Sequence, residues 1–228
     1  MPYTLYIADK NYSSWSLRPW ILMKTLAIPF TEHLIPFTAD NNWHNYRSFS
    51  PTGKVPCLVD GDITVWDSLA ITEYLAETYP LVWPQEKIAR AWARSASAEM
   101  HSGFQQLRNT CPMSVSVRVQ LHDIAHKSIE KDLSRLMELW QYGLMTFQGP
   151  FLAGKTFTAV DAFFAPVVFR LQTYGVQVSD DIQRYINTLL ALPAMQEWQQ
   201  AALKEKIEVT HEDEVLESGV IIKDLRTA

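Results

Sequence analysis

Cysteine is nearly absent. The 228 residues hold only Cys57 and Cys111, with no Cys-x-x-Cys pair. That scarcity argues against a disulfide scaffold and a structural zinc site, and it fits a reducing compartment. Runs of Lys or Arg are also missing. The 20 basic residues are scattered among 25 acidic ones, for a net charge of -5. Nothing here recruits a phosphate backbone, so no nucleic-acid partner is expected. No apolar run approaches the roughly 20 residues that span a bilayer. The start, Met1-Pro2-Tyr3-Thr4-Leu5, carries no basic stretch followed by an apolar one, so no secretory signal is visible. A cytoplasmic protein that stays off membranes is expected. Internal repeats and low-complexity stretches are lacking too. His122 and His126 have i,i+4 spacing and His101 lies nearby in sequence. No carboxylate or cysteine completes a ligand set around them, so solvent-exposed histidines are expected and no metal.

What the chain has in quantity is packing material: 47% hydrophobic residues, including eight Trp and ten Phe. It is enough for one large domain or two small ones. The first eighty residues read as a mixed α/β unit. Tyr3 to Ala8 alternates like a strand. Leu17, Trp20, Ile21, Met23 and Leu26 recur at helical spacing and stop before Pro29. Phe30 to Phe37 is a second strand, and Asp40 to Ser50 an irregular loop with a short helix. Val55 to Val59, Asp60-Gly61-Asp62 and Ile63 to Val65 form a hairpin. Asp67 and Ser68 then open a helix bearing Leu69, Ile71, Leu75 and Tyr79. Tyr79-Pro80-Leu81-Val82-Trp83-Pro84 is a stiff connector. The expected division is residues 1–80, a linker at 81–87, and an all-helical part at 88–228. One helical stripe there runs Trp92, Ala96, Met100, Phe104 and Leu107, and another runs from Ile129 to Phe147. Phe163 to Leu171 and Ile182 to Leu190 make a third and a fourth. Pro193 opens a fifth with Met195 and Trp198.

Three places carry possible chemistry. Pro56 at the head of a strand is either an ordinary trans proline or a cis one beside a backbone that faces a ligand. Asp67 and Ser68 are either a plain helix cap or an anion site, with Asp67 balancing an ammonium; an α-amino acid group would satisfy both. Ser13 and Ser14 precede the first helix, either as caps or as hydroxyls that donate to a thiolate and lower its pKa with the helix dipole. Cys57, on a strand expected to be buried, reads as a small hydrophobe rather than a redox nucleophile.

In order and spacing, Ser13-Ser14, then Gly53-Lys54-Val55-Pro56, then Asp67-Ser68-Leu69-Ala70-Ile71 resembles the N-terminal domain of glutathione transferases. Thr158-Ala159-Val160-Asp161 resembles the buried capping box of that family's second domain, with Phe157 at the staple position. The likeness covers about residues 3 to 205. It implies a thioredoxin-like domain followed by an all-helical one, glutathione as co-substrate, a homodimer, and a detoxifying attack on a small hydrophobic electrophile. It also implies a site. Ser14, or else Ser13, stabilises the thiolate, Val55 and Pro56 bind the cysteinyl backbone, Lys54 reaches the glycyl carboxylate, and Asp67 with Ser68 holds the γ-glutamyl end. Tyr12, Trp15, Met100, Phe104 and Arg108 are the candidates for the second-substrate pocket. Ser13-Ser14-Trp15-Ser16 is similar to a stretch of the zeta class, which includes maleylacetoacetate isomerases, although Trp15 stands where that class has cysteine. Glutathione-dependent peroxidase, reductase or isomerase activity, or a non-catalytic interaction or stress role, are the alternatives.

Overall fold

The protein is described by a computed structural model covering residues 3–38, 42–205 and 211–226. Strand β1, Tyr3–Ile7, turns Leu5 and Ile7 fully inward. Helix α1, Ser14–Thr25, ends ahead of Pro29, whose ring cannot continue a helix. The chain returns as β2, Phe30–Leu34, parallel to β1 with Leu5 opposite Glu32. A short helix α2, Trp43–Tyr46, interrupts the following loop. Strands β3, Cys57–Asp60, and β4, Ile63–Trp66, form the expected hairpin, and Gly61 takes the positive φ of its turn. β3 pairs antiparallel with β1, giving the order β2-β1-β3-β4. Helix α3, Ser68–Thr78, packs against α1. This is the thioredoxin-like arrangement expected. Cys57 lies enclosed on β3, where burial pushes its thiol up to about 11.

A 3-10 turn at Pro80–Val82 lies within the segment expected to be a stiff connector, and helix α4, Lys87–Ser102, begins at the last residue of the expected linker. The stripe from Trp92 to Leu107 is not one helix. The chain breaks at Gly103 and Phe104, Phe104 takes φ +55°, and α5 runs Gln105–Thr110. Helix α6 spans Asp123–Phe147, α7 Ala159–Thr173, α8 Asp180–Leu190 and α9 Pro193–Lys204. Nearly every side chain of α7 is buried, and the helix lies between α1 and α4.

The second half is mostly helical, not wholly so. Strand β5, Val117–Leu121, pairs antiparallel with β6, Gly219–Asp224, which follows the short helix α10, Glu212–Leu216. The partners lie about a hundred residues apart, with Val119 opposite Ile221. No described helix is long and apolar enough to cross a membrane.

The capping box at α7 forms in full. Thr158 accepts from the backbone of Asp161, whose carboxylate accepts from the Thr158 N–H at 3.0 Å. The same carboxylate also receives the Leu152 N–H and the Tyr185 hydroxyl.

Candidate functional site

The loop between β1 and α1 is built from both halves of the chain. Ser13 N–H donates to the Asp9 carbonyl at 2.8 Å, which closes the turn. Other groups of the loop look to the helical half. Glu205 accepts from the Lys10 and Asn11 N–H groups at 2.8 and 3.1 Å. The Trp198 indole donates to the Lys10 carbonyl, and Ser116 N–H donates to the Asn11 side chain. Burial pushes the Glu205 carboxyl up to about 7, against the pull of the two N–H groups it receives.

The two serines at the end of this loop have different surroundings. Ser13 is buried and does not cap the helix with its side chain. Its hydroxyl shares a 2.7 Å hydrogen bond with Ser16, which in turn accepts from the Ala8 N–H. Ser14 opens α1 and accepts, at 3.3 Å, from the guanidinium of Arg170 on α7.

Val55–Pro56 is cis, and both residues line a cavity of about 450 Å³ together with Lys54, Trp66, Asp67 and Ser68. Trp15, Lys54 and Val55 also line a second recess of about 530 Å³, where Ser13, Ser14 and Tyr12 stand. The two spaces share these walls and make one cleft, within the size range of small-ligand sites.

At the far end, Asp67 is the N-cap of α3 and receives the Leu69 and Ala70 N–H groups at 2.8 and 3.4 Å. It takes φ +76°, a conformation that costs a non-glycine residue about 1–3 kcal/mol and that gathers at functional sites. Its second oxygen lies 3.3 Å from His101. The Ser68 hydroxyl, enclosed at the mouth of α3, has no hydrogen-bond partner among the described residues. Lys54 has no ion pair within the described chain either. An unpaired ammonium, an orphaned hydroxyl and a helix N-terminus are complementary to a ligand with separate carboxylates. The Asp67 carboxylate beside them is complementary to an amine.

Of the residues expected in the second-substrate pocket, Tyr12 and Trp15 line the cleft. Trp15 lies against two guanidinium groups, Arg18 at 4.2 Å and Arg108 at 5.1 Å from its ring centre. Met100 and Phe104 do not reach the cleft: Met100 is fully enclosed, and Phe104 is buried at the break between α4 and α5. Arg108 touches the cleft only through Trp15 while bonding the His101 carbonyl and Gln105.

Two functional neighbours escaped the sequence reading. His101, expected in solvent, is partly buried against Trp15 and Asp67. Burial, assisted by Arg18 and Arg108 and opposed by Asp67, holds its imidazole below the usual range. Arg170 was not singled out at all. The available signal was a lone arginine in the otherwise apolar run Ala162 to Leu171.

Residues 12–78 match the family described as glutathione S-transferase, N-terminal domain, and residues 89–201 match glutathione S-transferase, C-terminal domain. Maleylacetoacetate isomerase of Rattus norvegicus is 28% identical over 197 residues, covering 84% of this chain and 89% of that protein. Dichloromethane dehalogenase of Methylophilus leisingeri is 48% identical over a shorter stretch of 54 residues, 23% of this chain and 20% of the other. A glutathione transferase homolog from Burkholderia, solved with bound glutathione, superposes with a TM-score of 0.67 at 25% identity. That match covers 90% of this chain and all of the other.

Proposed function

The chain belongs to the glutathione S-transferase family, and from that premise we propose that it binds reduced glutathione along the cleft and ionises the thiol for attack on a small hydrophobic electrophile. In this reading Lys54 and Ser68 receive the two carboxylates, Asp67 the amine, and Val55 beside Pro56 the cysteinyl backbone. Ser14 donates to the sulfur. The observation that carries the reading is the convergence of these groups on one continuous cleft, with the Lys54 ammonium and the Ser68 hydroxyl unpartnered among the described residues. Ser14 is preferred to Ser13 because the Ser13 hydroxyl is already engaged with Ser16.

Calorimetric titration with reduced glutathione tests the site. One-to-one saturable binding is expected in the wild type, weakened at least about tenfold in Asp67→Ala, because the cap and the ammonium's counter-charge go together. Equal affinity in both proteins would remove Asp67 from the site. Absence of binding at millimolar glutathione would leave the non-catalytic interaction role.

The isomerases among the relatives favour one alternative chemistry, glutathione-dependent isomerisation. Trp15, wedged against Arg18 and Arg108, supplies no thiol for it. Peroxide or disulfide reduction would use the same ionised glutathione. We propose a division into a glutathione-binding domain at residues 1–80, a linker at 81–87 and a second domain at 88–228. Pairing into a homodimer draws support from the outer face of β4 and α3, where Ile63 and Trp66 are exposed beside an open recess reaching Leu69 and Ala70. Sedimentation velocity is expected to give twice the chain mass. A single-chain mass at micromolar concentration would set the pairing aside.

A further inference from the structure

Arg170 and Arg18 are both buried, and no carboxylate lies within ion-pair distance of either among the described residues. Arg18 sits between the rings of Trp15 and Phe163, at 4.2 and 4.9 Å, with Nε and Nη1 lacking any hydrogen-bond partner. Arg170 is anchored from the other side. Its Nε donates to the Cys111 carbonyl at 2.8 Å, which fixes the plane of the guanidinium, and its Nη2 donates to Ser14 Oγ at 3.3 Å. Two enclosed cations without a counter-ion are costly unless an anion completes the arrangement. The group that stands between Arg170 and the cleft is the Ser14 hydroxyl.

A hydroxyl that accepts from a fixed cation has its own proton free to point elsewhere. At Ser14 the open direction is the cleft, since Ser14 lines it. We propose that Arg170 is the positioning residue of the glutathione site: by donating to Ser14 Oγ it aims the serine O–H at the glutathione sulfur, and its charge, with that of Arg18, stabilises the thiolate. This rests on the glutathione reading of the cleft. When the thiol ionises, its proton leaves to water; Ser14 keeps its proton and donates a hydrogen bond, and no bond to the protein forms.

The charged and titratable groups around this pair come from several elements. Arg108 on α5 adds a third positive charge; Cys111 and Tyr174 face Arg170, and Asp67 faces Arg18 while pairing with His101 on α4. Burial pushes Arg170 down to about 10, and burial together with Arg170 and Arg108 pushes Arg18 down to about 9. Both remain protonated at neutral pH. Burial pushes the Cys111 thiol up to about 12, and the Tyr174 phenol is also raised by burial, so neither supplies a competing negative charge. Arg170 therefore holds its charge through neutral pH, while Arg18 begins to lose its own toward pH 9.

The test is the pKa of glutathione bound to the full chain, read from thiolate absorbance across pH. Arg170→Met, which approximates the buried volume without charge, is expected to raise that pKa by about one unit, a roughly tenfold loss of thiolate at pH values below the wild-type bound pKa. Measured below that pKa, affinity for glutathione should change less than about twofold, because Lys54, Asp67 and Ser68 hold the rest of the molecule. Activity should approach the wild-type value at alkaline pH. Arg170→Lys keeps the charge but not the fork that spans Cys111 and Ser14, and an intermediate rise of about half a unit is expected. A folded variant of either kind, with near-ultraviolet circular dichroism intact and the wild-type thiol pKa, overturns the proposal. If Arg170→Met does not fold, Arg170→Lys decides alone by the same criterion. A wild-type protein that binds no glutathione overturns the cleft reading and this proposal with it, and is distinguished by the binding isotherm.

Discussion

Ser14→Ala is expected to lower kcat/KM for a glutathione conjugation by about 10²-fold near pH 6.5, with KM for glutathione little changed. The magnitude follows from the thiol. Free thiols ionise near 8.5, and a site that lowers this by about two units supplies roughly a hundredfold more thiolate on the acid side. Loss of one preorganised donor to a developing charge is typically of that size, about 10²–10³. Binding survives because Lys54, Asp67 and Ser68 together line a cavity that Ser14 does not. The defect should also shrink as the pH rises, since glutathione then ionises unaided. Ser13→Ala should cost only a few-fold, through the Ser13–Ser16 bond that steadies the first turn of α1. Steady-state kinetics of both variants from about pH 6 to 9 would check it. A Ser14→Ala enzyme within threefold of wild type, or a Ser13→Ala enzyme damaged as badly, would sink the assignment.

Asp161→Ala should be the most destabilising single change considered. The carboxylate is fully buried, and it receives the Leu152 N–H at 3.0 Å, the Thr158 N–H at 3.0 Å and the Tyr185 hydroxyl at 3.2 Å. Burial pushes it up to about 6, and these donors oppose that rise. Truncation strands two backbone donors and a phenol in a dry interior, each at about 1–3 kcal/mol, and the cap of α7 is lost as well. Because such terms do not add fully, about 4 kcal/mol is a fair expectation. For a chain of this size that is a fall in Tm of roughly 10 °C. Asp161→Asn should lose less, since one oxygen can still accept. Thermal unfolding followed by circular dichroism provides the check, and a shift of only a degree or two would mean that water or a repacked neighbour satisfies these donors. The damage should reach the cleft, because α7 also carries Arg170.

The parts of this fold that were legible in the sequence are those with local signals. The β-α-β order, the Asp60-Gly61 hairpin and the Thr158–Asp161 box each rest on residues a few positions apart, where period, turn chemistry and capping speak directly. The β5–β6 pair was missed because Val117–Leu121 is short and its partner lies a hundred residues away, beyond any local pattern. The stripe through Met100 and Phe104 was correctly apolar, yet periodicity does not say which side of a helix meets a cleft and which meets the core. Lys54, Val55, Pro56, Asp67 and Ser68 could be grouped from sequence because they are nearly contiguous, and the structure gathers them on one cavity. His101 and Arg170 were not found, because their significance lies in contacts with Asp67 and Ser14, 34 and 156 positions away.

The loop ahead of Ser14 is moored to residues of the second half by the Trp198 indole, the Glu205 carboxylate and the backbone of Ser116. The halves of this chain are therefore not interchangeable cassettes. A hybrid that joined residues 1–80 to the helical half of a relative lacking these partners would inherit every residue lining the cleft and still misplace Ser14. Recombination within such a lineage would be tolerated only where the mooring residues travel with the loop they hold.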